Sequence, residues 1–483
     1  RPPDAHAPTA RTHPRAVPAP RRAHLRADGR ARHFRVPRGQ RRYTPAMKRP
    51  PPWLLVALVG AIVGAVFAAV STYDFVQHLD RQVHNLHCSF LPGRGHAGES
   101  GCQVAMMSPY SSIWRGHVWG GVPIALGALS VFAFLVFFAV DLALTRRKRD
   151  PRATGLFALA TALPALTSVV MLIISLTQLG TTCKLCVMIY LASGTCLGSA
   201  ILLWRSAVTA GGDAALATAH TGAQLVAVDD DAAAGRATRG YVAAMIGVGV
   251  AFVAIPVALY LAAAPDHARF IGTCEGLPRP ADSYGVMVHL DRAAGGGDRA
   301  PAIEVLDPLC PACRAFEDRL TGTGLGDRLD RKAVLFPLDN TCNWMVTEAT
   351  HPGACTISEA VLCAGERAPE VLAWAYAHQD AIREQTKADP GAAARWVKQQ
   401  FPALASCVGS PDARSRLNKS LRWIVANNLR VTTPQLFVDG VKLCDEDVDL
   451  GLDYMLGHML ERRARGPLAP PAGKPGAGSG GAP

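Results

Sequence analysis

Five stretches of 21 to 26 residues, at 53–73, 120–140, 154–179, 183–204 and 241–264, carry no charged side chain apart from Lys184. At about 1.5 Å of rise per residue each can cross a hydrocarbon layer about 30 Å thick. Nothing in the sequence constrains the fold more, because a chain in lipid must satisfy its own backbone groups and so crosses as helices. Basic clusters set the direction. Lys48 and Arg49 precede the first run, Arg146, Arg147, Lys148 and Arg149 follow the second, Arg205 follows the fourth, and Arg236 and Arg239 precede the fifth. The positive-inside rule assigns all of them to the cytoplasmic side. The N-terminus is then expected in the cytoplasm, and everything beyond residue 264 on the outer face.

A formal net charge of +12 would suggest nucleic acid, but residues 1–49 hold 13 Arg, one Lys and two Asp, which accounts for the whole excess. The remainder is neutral, and no nucleic-acid partner is expected. The segment 1–46 is rich in Arg and Pro and nearly free of large apolar side chains, so burial cannot offset its ordering entropy, and disorder is expected. Met47 is expected to be the natural start, with the upstream part an over-extended reading frame. The further divisions expected are a four-helix membrane domain at 47–206, a cytoplasmic linker at 207–239, a fifth span at 240–264, an α/β domain at 265–465 and a disordered tail at 466–483.

The chain has 13 cysteines, too many for a reducing compartment unless they bind metal or react. All but Cys196 fall outside the expected spans or at their outer edge. Cys183-Lys-Leu-Cys186 stands at the mouth of the fourth apolar run, where a dithiol faces both water and lipid. Cys88 and Cys102 lie in the outer loop after the first span. Cys310-Pro-Ala-Cys313 follows an apolar strand at 302–307 and opens a helix. That position sets the first thiol beside unpaired N–H groups and the positive end of the helix dipole, which favours thiolate. Cys310 is therefore the exchanging sulfur and Cys313 the resolving one. A zinc site would need two further ligands nearby, and no metal is expected. The remaining exported cysteines suit structural bridges, with Cys342–Cys355 the first pairing expected and Cys363–Cys407 the next.

Over about 282–462 the sequence resembles the thioredoxin superfamily, in its periplasmic disulfide-oxidoreductase branch, which carries a helical insertion. Val431-Thr-Thr-Pro434 stands where that family has a cis-proline loop, and the resemblance implies that Thr433 and Pro434 hold an extended substrate segment beside Cys310. Over roughly 53–205 the sequence resembles the vitamin K epoxide reductase family, through Cys88 and Cys102, Ser108, Gly121-Val-Pro123, Cys183-Lys-Leu-Cys186 and Tyr190. This resemblance implies that Cys183 and Cys186 are the redox centre beside a quinone, that Cys102 attacks Cys183, and that Cys88 meets the thioredoxin-like domain. It also implies that Ser108 and Tyr190 contact the quinone, ubiquinone or menaquinone. Ser108-Pro109 can also be read as a helix N-cap followed by Pro at the first helical position.

The fold class expected is thus an α-helical transmembrane bundle, four helices plus a fifth anchoring span, joined to an α/β thioredoxin fold with a helical insertion. The function expected is a membrane thiol oxidase, in the inner membrane of a bacterium with its redox cysteines on the periplasmic side. It would take electrons from exported cysteine-containing proteins and pass them to the membrane quinone pool. Two rivals use the same residues: a thiol-driven quinone or quinone-epoxide reductase, and a membrane-anchored chaperone with structural disulfides.

Overall fold

The computed structural model describes residues 51–82, 87, 101–145, 147–221, 228–291, 299–466 and 468, with backbone alone at 211–221 and 228–237. Cys88 and nearly all of the tails at 1–46 and 466–483 lie outside the described residues.

The membrane part begins with α1 (Pro52–Gln77), whose proline occupies the first turn, where an N–H would have no partner in the helix. A single tight helical turn, His78–Asp80, extends it. After α2 (Gly101–Met107), β1 (Ser112–Ile113) pairs antiparallel with β2 (Val122–Pro123) and leads into α3 (Ile124–Leu144). Asp150 caps α4 (Pro151–Thr177) by accepting the Arg152 N–H at 2.9 Å. The last two membrane helices are α5 (Lys184–Thr221) and α6 (Val228–Ala263). Among the described residues, five helical segments are long and apolar enough to span a membrane.

Small residues let these helices approach closely. A Cβ at Gly64 of α1 would lie 2.4 Å from the Phe132 ring of α3, and one at Gly60 would meet the Cys196 sulfur of α5 at 3.0 Å. Cys196 is fully buried there, as a packing residue. Apolar side chains that point away from the bundle, such as Leu159, Leu166 and Ile173 on α4, are exposed because their solvent is lipid. The stretch 207–239, read above as a linker, is helical on both sides of 222–227. Its alanines explain this, since Ala pays the least to enter a helix.

Beyond α6, a five-stranded sheet has the order β3-β5-β4-β6-β7. Its strands are β3 (Val288–His289), β4 (Ala300–Leu306), β5 (Leu329–Leu335), β6 (Gln435–Val438) and β7 (Val441–Lys442). β4 runs into α7 (Pro311–Thr323) and returns as β5, parallel to β4, while β6 is antiparallel to β4. Gly324, with φ 68°, ends α7 in the left-handed conformation. Asp439 and Gly440, both at positive φ, turn the β6–β7 hairpin. A βαβ unit followed by a ββ hairpin and a closing helix, α12 (Leu452–Arg465), is the thioredoxin arrangement.

Between β5 and β6 stand α8 (Ala354–Ala364), α9 (Ala368–Ala388), α10 (Ala392–Gln400) and α11 (Pro411–Ala426). Disulfides join Cys342 to Cys355 and Cys363 to Cys407 around this insertion, and Cys274 to Cys444 between the segment after α6 and the end of the hairpin.

The thioredoxin-like part is seated on the end of the bundle that carries α2 and the β1–β2 hairpin. Phe75, Met107 and Trp119 from the membrane part share one apolar cluster with Phe316, Leu320, Leu450 and Leu452. Polar contacts frame it: Arg115 donates to Asp453 at 2.7 Å, the Trp119 indole donates to Asp447 at 2.7 Å, and His267 donates to the Leu79 carbonyl at 3.0 Å.

Candidate redox site

Two dithiol centres stand at helix N-termini. In the membrane part, Cys183 immediately precedes α5, and its sulfur accepts the Cys186 backbone N–H at 3.4 Å. This is the electrostatic setting in which a thiolate is favoured. The sulfur of Cys102, from α2, lies 3.2 Å from that of Cys183, beyond the roughly 2.05 Å of a covalent S–S bond. Cys102 is disulfide-bonded, whereas Cys183 and Cys186 are free thiols. An unbridged sulfur thus rests against a bridged one, the approach that thiol–disulfide exchange requires.

Behind the two sulfurs lies a chamber of about 410 Å³, walled largely by apolar side chains and reached by Cys102, Cys183, Cys186, Ser108, Tyr190 and Asp74. Its size falls within the usual range of about 300–1,000 Å³ for small-molecule sites. Pro164 of α4 faces this chamber. Ser108 follows α2 and starts no helix, so the N-cap reading is corrected. Its hydroxyl donates back to the Ala105 carbonyl at 2.8 Å, and its own carbonyl takes Arg115 at 2.6 Å.

The second centre is built by β4, α7 and the loop before β6. Cys310 is the residue preceding α7, and its N–H donates to the Asp307 carbonyl at 3.1 Å. Its sulfur lies 3.7 Å from the Thr433 carbonyl, and the Thr433–Pro434 peptide is cis. The Cys313 hydrogen bond draws the Cys310 thiol down to about 6, against the opposing effect of burial, with Thr433 adding to the pull. Burial pushes Cys313 well up, and its hydrogen bond to Cys310 adds to this. The pair therefore splits into one thiolate and one thiol, the division of labour that exchange uses.

Several residues of this centre are not evident in the sequence. Asp307 is fully buried and accepts the Leu309 and Leu338 N–H groups at 2.7 and 2.8 Å, while His351 Nδ1 lies 2.7 Å from its Oδ2. Burial would lower His351, but the hydrogen bond to Asp307 prevails and holds it above its ordinary value. Glu304, mid-strand in β4, is buried with Arg331 at 3.4 Å, and Arg331 also meets Glu317 and Asp291. Burial pushes Glu304 up to about 8, with Arg331 pulling the other way. A lone acid within Ala-Ile-Glu-Val-Leu was a legible signal for Glu304. Nothing local marks its partner.

No curated protein sequence matches the chain. Among solved structures, reduced DsbA1 from Neisseria meningitidis aligns with 14% identity over 39% of this chain and 99% of its own, at a TM-score of 0.25. An oxidized DsbA1 mutant aligns with 14% identity over 39% of this chain and 95% of its own, at a TM-score of 0.26. The thioredoxin assignment stands on the strand order itself. Residues 55–201, the four-helix part that holds Cys102, Cys183 and Cys186, match the Vitamin K epoxide reductase family, so the chain joins a membrane domain of that family to a thioredoxin-like domain.

Proposed function

We propose that this membrane thiol–disulfide oxidoreductase is a quinone-linked thiol oxidase that drives disulfide formation in exported proteins. The observation that carries the reading is the 3.2 Å approach of Cys183 to the bridged Cys102, with Cys186 opening onto an apolar chamber behind them. Substrate dithiols reduce Cys310–Cys313, the Thr433 carbonyl and Pro434 holding the substrate backbone alongside. Cys88–Cys102 reoxidises that pair, and Cys183–Cys186 reoxidises Cys88–Cys102.

A membrane quinone, ubiquinone or menaquinone, supplies the final oxidising power by accepting two electrons and two protons. The chamber suits such a ring, being walled by apolar side chains with Ser108 and Tyr190 as the polar groups that would orient it. The chain's own work is to keep one sulfur of each pair reactive, to hold successive sulfurs within reach, and to keep bulk water from the chamber. Fusion keeps the thioredoxin-like partner at an effective concentration of about millimolar.

The basic clusters support a redox face opposite the cytoplasm, as in the inner membrane of a bacterium with the cysteines on the periplasmic side. Purified full-length protein, given a reduced thiol substrate and a short-chain ubiquinone, is expected to form hydroquinone with loss of substrate thiols. Absence of that reaction overturns the reading. With Cys313→Ser, a linkage from Cys310 to Cys88 or Cys102 is expected by mass spectrometry.

A further inference from the structure

Asp74 is the one charged side chain in the lining of the chamber, among the described residues. It sits near the outer end of α1 and is only 2% exposed, where a carboxylate without partners would be costly. Its partner is His87, whose backbone N–H donates to Oδ2 at 3.1 Å and whose Nδ1 lies 2.5 Å from Oδ1. The His87 side chain is 50% exposed, and its ring meets Tyr73 edge-on at 5.7 Å. A continuous link therefore runs from outer water, through an imidazole, to a carboxyl group on the chamber wall. Among the described residues, His78 Nδ1 lies 2.7 Å from the Asp74 backbone carbonyl, Cys183 at the start of α5 lies within electrostatic reach, and Cys186 and Tyr190 share the chamber wall.

We infer that Asp74 and His87 deliver a proton from the outer water to the chamber, an assignment that rests on the quinone reading above. Proton balance calls for such a route. When Cys183 reacts as thiolate and Cys186 as thiol, closing their disulfide releases two electrons and one proton. Forming hydroquinone consumes two of each. Asp74 supplies the missing proton and is reprotonated through His87, whose imidazole can take a proton on one ring nitrogen and give one from the other.

The test uses full-length protein in detergent, pre-reduced and mixed with a short-chain ubiquinone in a single turnover. Asp74→Asn is expected to slow closure of the Cys183–Cys186 disulfide by about 10²-fold, the low end for a lost general acid. It should also flatten the pH profile. His87→Gln should slow the step less but remove the same inflection, and Asp74→Glu should restore both rate and profile. A readout without quinone is the infrared signature of the Asp74 carboxyl, absent in Asp74→Asn and displaced in His87→Gln. Trapping of Cys102 on Cys183 in a Cys186→Ser background reports whether each variant keeps its thiol geometry. If Asp74→Asn loses the trap, His87→Gln decides. Unchanged rate and pH profile in variants that keep the trap overturns the assignment, whereas a wild-type protein that leaves the quinone oxidised overturns the functional reading instead.

Discussion

Arg81 at the end of the first membrane helix grips Asp447 of the thioredoxin-like part with two hydrogen bonds, Nε to Oδ1 at 3.1 Å and Nη2 to Oδ2 at 2.8 Å. The pair is largely withdrawn from water, with Asp447 fully buried, and the Arg81 guanidinium lies 4.0 Å above the Phe270 ring. The seating of one part on the other thus depends on a charge pair that neither part can satisfy alone.

Replacing Asp447 with Asn leaves Arg81 without its main counter-ion. Breaking a buried pair by removing one partner costs about 3–5 kcal/mol, and the low end is expected because Glu446 remains 3.8 Å from Arg81. The expected result is faster hydrogen exchange along α12 and in the segment after α6, with the sheet core at β4 and β5 unchanged. Hydrogen exchange by mass spectrometry checks this, and equal protection in both proteins would show that the apolar cluster alone seats the domain.

The thiol of Cys310, drawn down to about 6 chiefly by its hydrogen bond from Cys313, fixes a pH window. Alkylation of the reduced protein by iodoacetamide should label Cys310 with a midpoint near pH 6, rather than the roughly 8.5 of a free thiol. Buried Cys313 should resist. The linkage has a definite sign. A depressed thiol stabilises the reduced fold fully above its ordinary value and loses that contribution as pH falls through about 6. The disulfide form has no such group. The melting temperature of the reduced domain, relative to the oxidised one, should therefore fall as the solution is acidified from neutral pH to below 6.

His351 offsets the negative charge that Asp307 sets beside Cys310. Removing the imidazole with His351→Gln leaves the buried carboxylate acting against the thiolate, so the Cys310 alkylation midpoint should move upward from about 6. Asp307→Asn should move it down, because the carboxylate raises that thiol in the native site. Burial opposes protonation of His351, but its bond to Asp307 keeps it above the ordinary value. The stability it brings is therefore complete below about pH 6.5 and lost as pH rises through the raised value. A midpoint that stays in place in both variants would show that the pair only anchors the turn before Cys310.

Much of this was legible in the chain because the signals are local. A span declares itself by an uncharged run, as at 154–179, and a redox pair by two cysteines one helical turn apart after a strand or at the mouth of a span. The residues that could not be read are those whose partners are remote. Arg81 and Asp447 are separated by 366 positions, and Asp307 and His351 by 44, so no window contains both. Asp74 follows the first uncharged run directly, and only the fold puts it on the chamber wall. The stretch at 207–239 reads as a linker from its Ala, Gly and Asp, and its alanines let the helices on either side continue into it.

The contact between Cys102 and Cys183 gives the sharpest expectation for the membrane centre. In the direction proposed above Cys102 attacks Cys183 and displaces Cys186, and in the reverse of that reversible exchange Cys183 attacks the bridged Cys102 and Cys186 releases it. Replacing Cys186 with Ser removes the resolving sulfur, so a Cys102–Cys183 linkage should accumulate and be recovered as a single cross-linked peptide pair under non-reducing digestion. Replacing Cys183 with Ser should remove the sulfur that Cys102 meets at 3.2 Å, so no linkage should be trapped, since Cys186 lies a helical turn further on. Quinone-dependent oxidation should fall to background in both variants, which separates them only by the trapped species. If the linkage forms instead between Cys102 and Cys186, the order of the two sulfurs is reversed, and the chamber would have to receive its electrons from Cys183.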